Sequence, residues 1–375
     1  MLGHLRFPVE SSRGRRYPEP EHPYRNAFQR DRDRIIHSRA FRRLEHKTQV
    51  FAPTLSDHFR NRLTHTIEVS QIARTISNVL GLNEDLTEAL SLVHDVGHPP
   101  FAHAGEAALN RIMRSYGESF DHNIQSLRAI EFIERRYPRF PGLNLSFEVR
   151  EGTAKHSRDF GPGEFPALDP YLPGFRPPLE AQLIDLADEV AYNTADLDDA
   201  CEAGLLSPDE VAAEVPVYAD ILETIDTQFP GATPRERFQE SVRQLVDHLA
   251  SGLIEGTVMA ARAASVADFE AVRNHGTRLA CFSATARDTS AQMKTCLNRQ
   301  VYSSEALAMD RQESIERLTR MFHRLMADPE SVPGIDLESG SLHRAVCDFI
   351  AGMTDRYFLR VYAALFEAQS LGDAG

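Results

Sequence analysis

The sequence predicts an all-α protein, and three observations carry that prediction. His65, Val69, Ile72, Ile76 and Val79 recur in steps of four, three, four and three, which is one face of a helix. Leu179, Leu183, Leu186, Val190 and Leu197 mark a second apolar face. Leu86, Ala89, Leu90 and Val93 mark a third, which runs into His94 and Asp95. With 375 residues and 42% hydrophobic content, the chain can bury a sizeable core, as one large domain or as a main domain with a helical extension.

Taken in order, residues 1–24 are expected to be an N-terminal tail, with Arg13, Arg15 and Arg16 mobile. Helices are expected over 26–45 and 58–80, the second stopped at Gly81. A helix over 84–95 must end before Pro99 and Pro100, because proline lacks a backbone donor and clashes with the preceding turn. Helices resume over 103–115 and 122–136. Residues 137–178 hold eight of the 21 prolines and five glycines, and read as a long loop with room for a short hairpin. Segments of that length are often lids or binding loops, and Lys155 and His156 in it would face phosphates. Helices over 179–200, 208–227, 234–254, 266–274, 286–297, 304–327 and 340–368 complete the chain. The stretch 201–375 carries few catalytic-looking residues and is assigned to packing and oligomer contacts.

The chemistry concentrates between His94 and Glu106, where three histidines and two carboxylates share thirteen residues. His103 and Glu106 lie three apart and share a face of the helix that follows the prolines. Neutral imidazole and carboxylate hold divalent metals and also move protons near neutral pH. The run reads as half of a metal site with a general acid/base group beside it. A lone His–Asp pair is more often a cap or a satisfied core residue, but two further stripes shift the balance. His65 faces the core with Arg62 one turn earlier, a polar pocket more than a dry one. Asp185, Asp188, Tyr192, Asp196 and Asp199 form a stripe about 200° around the helix from the leucines. Asp185 and Asp199 are assigned to a solvated face, while Tyr192 between two aspartates suits a cleft.

Composition narrows the class. Cys201, Cys281, Cys296 and Cys347 show no paired spacing, against a disulfide framework or thiolate metal site and for a reducing compartment. No stretch approaches the roughly 18 apolar residues of a membrane span, and no signal-peptide core opens the chain, so a cytoplasmic protein is expected. The whole chain carries a net charge of −14, yet residues 1–62 hold 14 Lys and Arg against 7 Asp and Glu. One basic segment in an acidic protein suggests a local anion site, and arginine suits bidentate phosphate contacts.

These residues carry a resemblance. The order His65, His94-Asp95, Asp188 resembles the H…HD…D signature of the HD superfamily of metal-dependent phosphohydrolases. "HDVGHPPFAHAGE" at 94–106 with "FDHN" at 120–123, supported by "NRLTHTIEVSQIAR" at 61–74 and "ADEVAYNTADLDDA" at 187–200, resembles its deoxyguanosine triphosphate triphosphohydrolase-like branch, over about residues 25–365. The resemblance implies an HD-domain core at 25–200 with a C-terminal helical extension at 201–375. It implies one divalent metal ion on His65, His94, Asp95 and Asp188, with Mg²⁺ or Mn²⁺ expected first and Fe²⁺, Co²⁺, Ni²⁺ or Zn²⁺ also suited. The implied reaction is attack of water on the α-phosphorus of a deoxynucleoside triphosphate, releasing deoxynucleoside and tripolyphosphate. His103 would relay the proton, oriented by Glu106, with His122 a second donor to the phosphate. Gln49, Tyr192 and Asp196 would meet the sugar, and Arg62 the α-phosphate. A homo-oligomer, hexamer or other multiple of dimers, and an allosteric deoxynucleotide are further expectations from the family. The alternatives are an HD-type 5′-nucleotidase or guanosine polyphosphate hydrolase, and a single-stranded nucleic-acid-binding HD protein. The basic N-terminal segment permits weak single-stranded DNA binding, but there is no Trp and few aromatics lie among the arginines.

Overall fold

The structure, a computed structural model, describes residues 1–50, 58–332, 334–335 and 340–366. It is all-α. The helices are α1 (Ala27–Ile36), α2 (Arg39–Arg43), α3 (Arg62–Leu80), α4 (Glu84–Val93), α5 (Ala102–Arg114), α6 (His122–Arg128), α7 (Phe147–Ala154) and α8 (Leu179–Glu202). They continue with α9 (Pro208–Glu214), α10 (Pro216–Gln228), α11 (Pro234–Ala264), α12 (Phe269–Asn274), α13 (Ala284–Leu297), α14 (Glu305–Ala327), α15 (Leu342–Ala351) and α16 (Asp355–Phe366). Among the described residues there are isolated bridges, such as Thr48 with Asn61, in place of strands.

Two compact units result. Residues 1–32, 65–92 and 146–304 form the first, and 33–64, 93–145 and the chain from 305 onward form the second. In the first, α7, α11 and α13 pack on α8, which buries Leu183, Ala187, Val190 and Leu197. In the second, α5 packs on α14 and α15 around Leu109, Met113, Leu318, Phe322, Val346 and Phe358.

Several expected elements differ, each for a local reason. The helix expected over 26–45 breaks at Ser38, whose side chain accepts from Phe41 N–H at 3.0 Å and caps α2. The one expected over 208–227 breaks before Pro216, which opens α10 where its missing N–H costs nothing. The last expected helix divides into α15 and α16, and its end at 367–368 lies outside the described residues. The 137–178 stretch is no single loop. It contains α7 and a 3-10 turn at Pro166–Tyr171, and no hairpin among its described residues.

The N-terminal residues are not a free tail. Leu2, Leu5 and Phe7 are buried, the Arg15 guanidinium donates to the buried Asp31 at 2.5 Å, and Glu148 accepts from Ser12 Oγ and Arg13 N–H. Asp199, expected on a solvated face, is buried.

Candidate functional site

In the second unit, α4 runs out at Val93 and the chain turns through His94, Asp95 and Gly97 before the two prolines. A Cβ at Gly97 would stand 2.1 Å from Ser126 N and 2.4 Å from His122 O, so only glycine lets α6 lie against this turn. The contact is sealed by Gly97 N–H donating to Ser126 Oγ at 2.9 Å and by Ser126 Oγ donating to His94 O at 3.0 Å. Gly97→Ala is therefore expected to cost about 1–3 kcal/mol or more of stability. A thermal melt within a degree of the unmodified chain would contradict this packing.

After the prolines, α5 starts from Phe101 and Ala102, both with positive φ (65° and 50°). That conformation is strained for a residue with a Cβ. Asp355 Oδ1 accepts Phe101 N–H at 3.1 Å, and the Phe101 ring packs edge-on against Phe358 at 4.9 Å. These contacts aim the first turn of α5, which carries His103 and Glu106.

Glu106 grips His122 twice, accepting its backbone N–H at 3.0 Å and facing its Nδ1 at 2.9 Å. His103 Nδ1 stands 3.8 Å from Glu106 Oε2, an ion-pair distance too long for a hydrogen bond, and its side chain is 79% exposed. The sequence reading that Glu106 orients His103 thus needs correction: its direct partner is His122. His122 in turn stacks on His98 with ring centroids 4.0 Å apart. Donor atoms of His98, Glu106 and His122 lie within 4.8 Å of one another.

Asp95 joins this cluster to Arg62. Arg62 Nη1 donates to Asp95 Oδ2 at 2.7 Å, while Asp95 Oδ1 lies 3.0 Å from His98 Nε2 and 3.5 Å from His94 Nε2. Burial alone would raise the Asp95 carboxyl, but His94, Arg62 and His98 hold it well below the ordinary range. Burial, reinforced by the Arg62 and His122 charges, pushes His98 down and keeps it neutral. His122 goes the other way: burial lowers it, but the hydrogen bond and charge of Glu106 outweigh that and raise it. Lys47 is fully buried and donates from Nζ to His98 O and, at 3.2 Å, to Ala351 O. Burial, then Arg43 and Arg62, push it down to about 7.

The Glu106–His122 pair sets a pH window. The raised His122 contributes stability that is full below its ordinary value of 6.5 and fades as pH rises through the folded value. Glu106, held low against burial by its two histidines, contributes above its ordinary 4.5 and loses this as pH falls. The melting difference between the unmodified chain and Glu106→Gln should therefore peak between pH 4.5 and 6.5. A flat difference from pH 5 to pH 9 would refute the pairing.

In the first unit, His65 near the start of α3 points its Nε2 to Asp188 Oδ1 at 2.7 Å, and His156 Nε2 lies 3.8 Å from Asp188 Oδ2. Asp188, Tyr192 and Asp196 follow one another at four-residue steps along one face of α8. Tyr302, from the turn after α13, donates its hydroxyl to Asp196 and stacks on Tyr192 at 5.9 Å. Burial and the Asp196 charge push the Tyr302 phenol up, so it stays a donor. Lys155 does not face a ligand. It is buried, and its ammonium donates to Glu151 Oε1 at 2.8 Å and to the carbonyls of Leu172 and Phe175 at 2.9 Å each. All three of its donors are spent inside the fold.

Among the buried polar atoms with no hydrogen-bond partner in the described residues are Gln49 Oε1, Arg62 Nε and His98 Nδ1. Such atoms are costly unless a ligand or water meets them. His65 and Asp188 in the first unit, and His94 and Asp95 in the second, are the imidazole and carboxylate donor types that suit a divalent cation.

Residues 62–193 match the HD domain family and residues 280–364 the phosphohydrolase-associated domain family. Proteins called deoxyguanosinetriphosphate triphosphohydrolase-like align over 95% of this chain. That of Geobacter sulfurreducens is 42% identical, with 92% of its length covered. Those of Azoarcus sp. and Caulobacter sp. are 43% and 40% identical, each with 94% covered. The chain belongs to this family. As an HD-domain member of the deoxyguanosinetriphosphate triphosphohydrolase-like proteins, it is a phosphohydrolase. Among the described residues, no helix is long and apolar enough to cross a membrane.

Sequence reasoning missed His98, Lys47 and Tyr302. His98 lay in plain view within the His94–Glu106 run, but nothing in its spacing separated it from its neighbours. Tyr302 meets Asp196 across 106 residues, which no local pattern reports.

Proposed function

We propose that this family member hydrolyses deoxynucleoside triphosphates to deoxynucleoside and tripolyphosphate. The observation that carries the reading is the α8 face, where ligand-type Asp188 beside His65 is followed one and two turns on by Tyr192 and Asp196, closed by Tyr302. A phosphate held at the first end would set a sugar against the second. His65, His94, Asp95 and Asp188 would hold one divalent ion, Mg²⁺ or Mn²⁺ first. When bound, the ion neutralises phosphoryl charge and lowers the pKa of water.

The chain's own groups account for the rest. Arg62, anchored by Asp95, offers its unpartnered Nε to the α-phosphate. His122, whose protonated form Glu106 favours, offers a second donor. Water attacks the α-phosphorus, the bond to the sugar 5′-oxygen breaks, and the exposed His103 hands that oxygen its proton. Gln49 Oε1, buried and unpartnered, suits the donating 3′-hydroxyl, with Asp196 as its companion. Residues 201–375 are assigned to packing and homo-oligomer contacts of a cytoplasmic enzyme.

The test is product analysis with each nucleotide. The unmodified chain should turn over dGTP about 10–200-fold faster than GTP, the selectivity one extra group in a fitted pocket brings. Tyr192→Ala should lose part of that ratio. Equal hydrolysis of GTP and dGTP by the unmodified protein would overturn the reading. Release of inorganic phosphate from a monophosphate would favour a 5′-nucleotidase instead.

A further inference from the structure

Within the second unit, three segments far apart in the chain meet at the catalytic turn: residues 47–49, 98–101 and 351–355. Two side chains join them. Lys47, fully buried, donates from Nζ to His98 O and, at 3.2 Å, to Ala351 O. Asp355 accepts Thr48 N–H on Oδ2 at 2.8 Å and Phe101 N–H on Oδ1 at 3.1 Å. An acid at the start of a helix commonly serves that helix's own amides. In α16 that task falls to Thr354, whose Oγ1 accepts Tyr357 N–H at 3.1 Å and whose carbonyl accepts Phe358 N–H at 2.9 Å. Both oxygens of Asp355 are turned instead to the two other segments.

Each amide held by Asp355 sits beside a residue assigned above to the reaction. Thr48 precedes Gln49, whose buried Oε1 has no partner among the described residues. The same short run is tied to the start of α3: Thr48 is bridged to Asn61, and Arg62 N–H donates to Lys47 O at 3.1 Å. Phe101 stands two residues before His103. Phe101 and Ala102 both have positive φ, which persists in residues with a Cβ only where the surroundings over-determine it. The Asp355 carboxylate is one of the contacts that do so.

We propose that Asp355 is a positioning residue for the hydrolysis, one carboxylate that fixes the Gln49 run and the His103 turn in a single register. The inference rests on the roles given above to Gln49 and His103. Asp355 acts through these two segments and not on the substrate. Because both amides bind one rigid group, neither segment shifts without the other losing its common anchor. The C-terminal stretch, assigned to packing, thereby reaches the site through one side chain. Misplacing a reacting group by about 1 Å can cost about 100-fold in rate, so such an anchor bears directly on turnover.

Steady-state kinetics of the intact, metal-loaded chain with dGTP, its 2′,3′-dideoxy analogue and GTP test this, alongside amide hydrogen exchange. Asp355→Ala should lower kcat for dGTP by about 10–100-fold while metal content is kept. Its preference for dGTP over the dideoxy analogue should shrink toward that of Gln49→Ala, because the 3′-hydroxyl contact is lost. Its preference for dGTP over GTP, assigned to Tyr192, should stay. Asp355→Asn keeps one acceptor and should fall between Asp355→Ala and the unmodified chain. A merely destabilised fold would lower all three substrates alike. In Asp355→Ala the Thr48 and Phe101 amides should exchange about tenfold faster, while α16, capped by Thr354, keeps its protection. Equal loss on all three nucleotides, or protection retained at either amide, overturns the proposal. If the unmodified chain hydrolysed none of the three, the reaction proposed above would fall, and the exchange result would still decide whether Asp355 holds both segments.

Discussion

Asp188→Ala is expected to leave the purified protein without stoichiometric metal and without measurable hydrolysis. Asp188 sits between His65 Nε2 at 2.7 Å and His156 Nε2 at 3.8 Å, so its carboxylate is the anionic partner of two imidazoles. Losing even an outer-shell partner of a ligand typically costs 10–100-fold in metal affinity. Losing a ligand that also balances the ion's charge should cost at least about 100-fold. Elemental analysis of Asp188→Ala showing one ion per chain would refute the assignment. A second measurement guards against simple misfolding. Metal binding to the folded state raises its stability by mass action, so a chelator should lower the melting temperature of the unmodified chain and leave that of Asp188→Ala unmoved.

The all-α class and most helix positions could be read from the chain because apolar residues at helical spacing are a local signal. The α3 and α8 faces are the clear cases: Val69, Ile72, Ile76, Leu183, Val190 and Leu197 are buried as their spacing implies, while Val79 at the end of α3 is exposed and Leu186 is half-buried. Boundaries failed where one residue decided them, as at Ser38 and Pro216. The N-terminal arm failed for a different cause. Leu2, Leu5 and Phe7 are too few to show a period, and the arginines after them drew the reading toward a solvated tail.

The candidate site was legible in proportion to how local its contacts are. Three-residue spacing paired Glu106 with His103, which stands at 3.8 Å, while the fold brings His122 from 16 residues on to 2.9 Å. Lys155 was misread because charge alone cannot reveal that Glu151 and two carbonyls already use its donors. Asp185 carries a mixed outcome. It is partly exposed as expected, yet burial raises its carboxyl and Arg278 stands 4.0 Å away.

His103→Ala should lower turnover by about 10²–10⁴-fold, the range for a general acid–base group. The imidazole is 79% exposed and makes no hydrogen bond to Glu106, so deleting it removes little packing. Melting temperature and metal content should therefore match the unmodified chain. The contrast with His122 makes the test sharp. His122 is anchored by Glu106 through both ring and backbone and stacks on His98, so its removal should disturb stability together with rate. A solvent-facing imidazole whose one ion-pair partner, Glu106, is held more closely by His122 has little structural task that would explain a rate loss on its own. If His103→Ala kept near-normal turnover, proton delivery to the leaving oxygen would have to come from His122 or solvent, and the role given to His103 would fall.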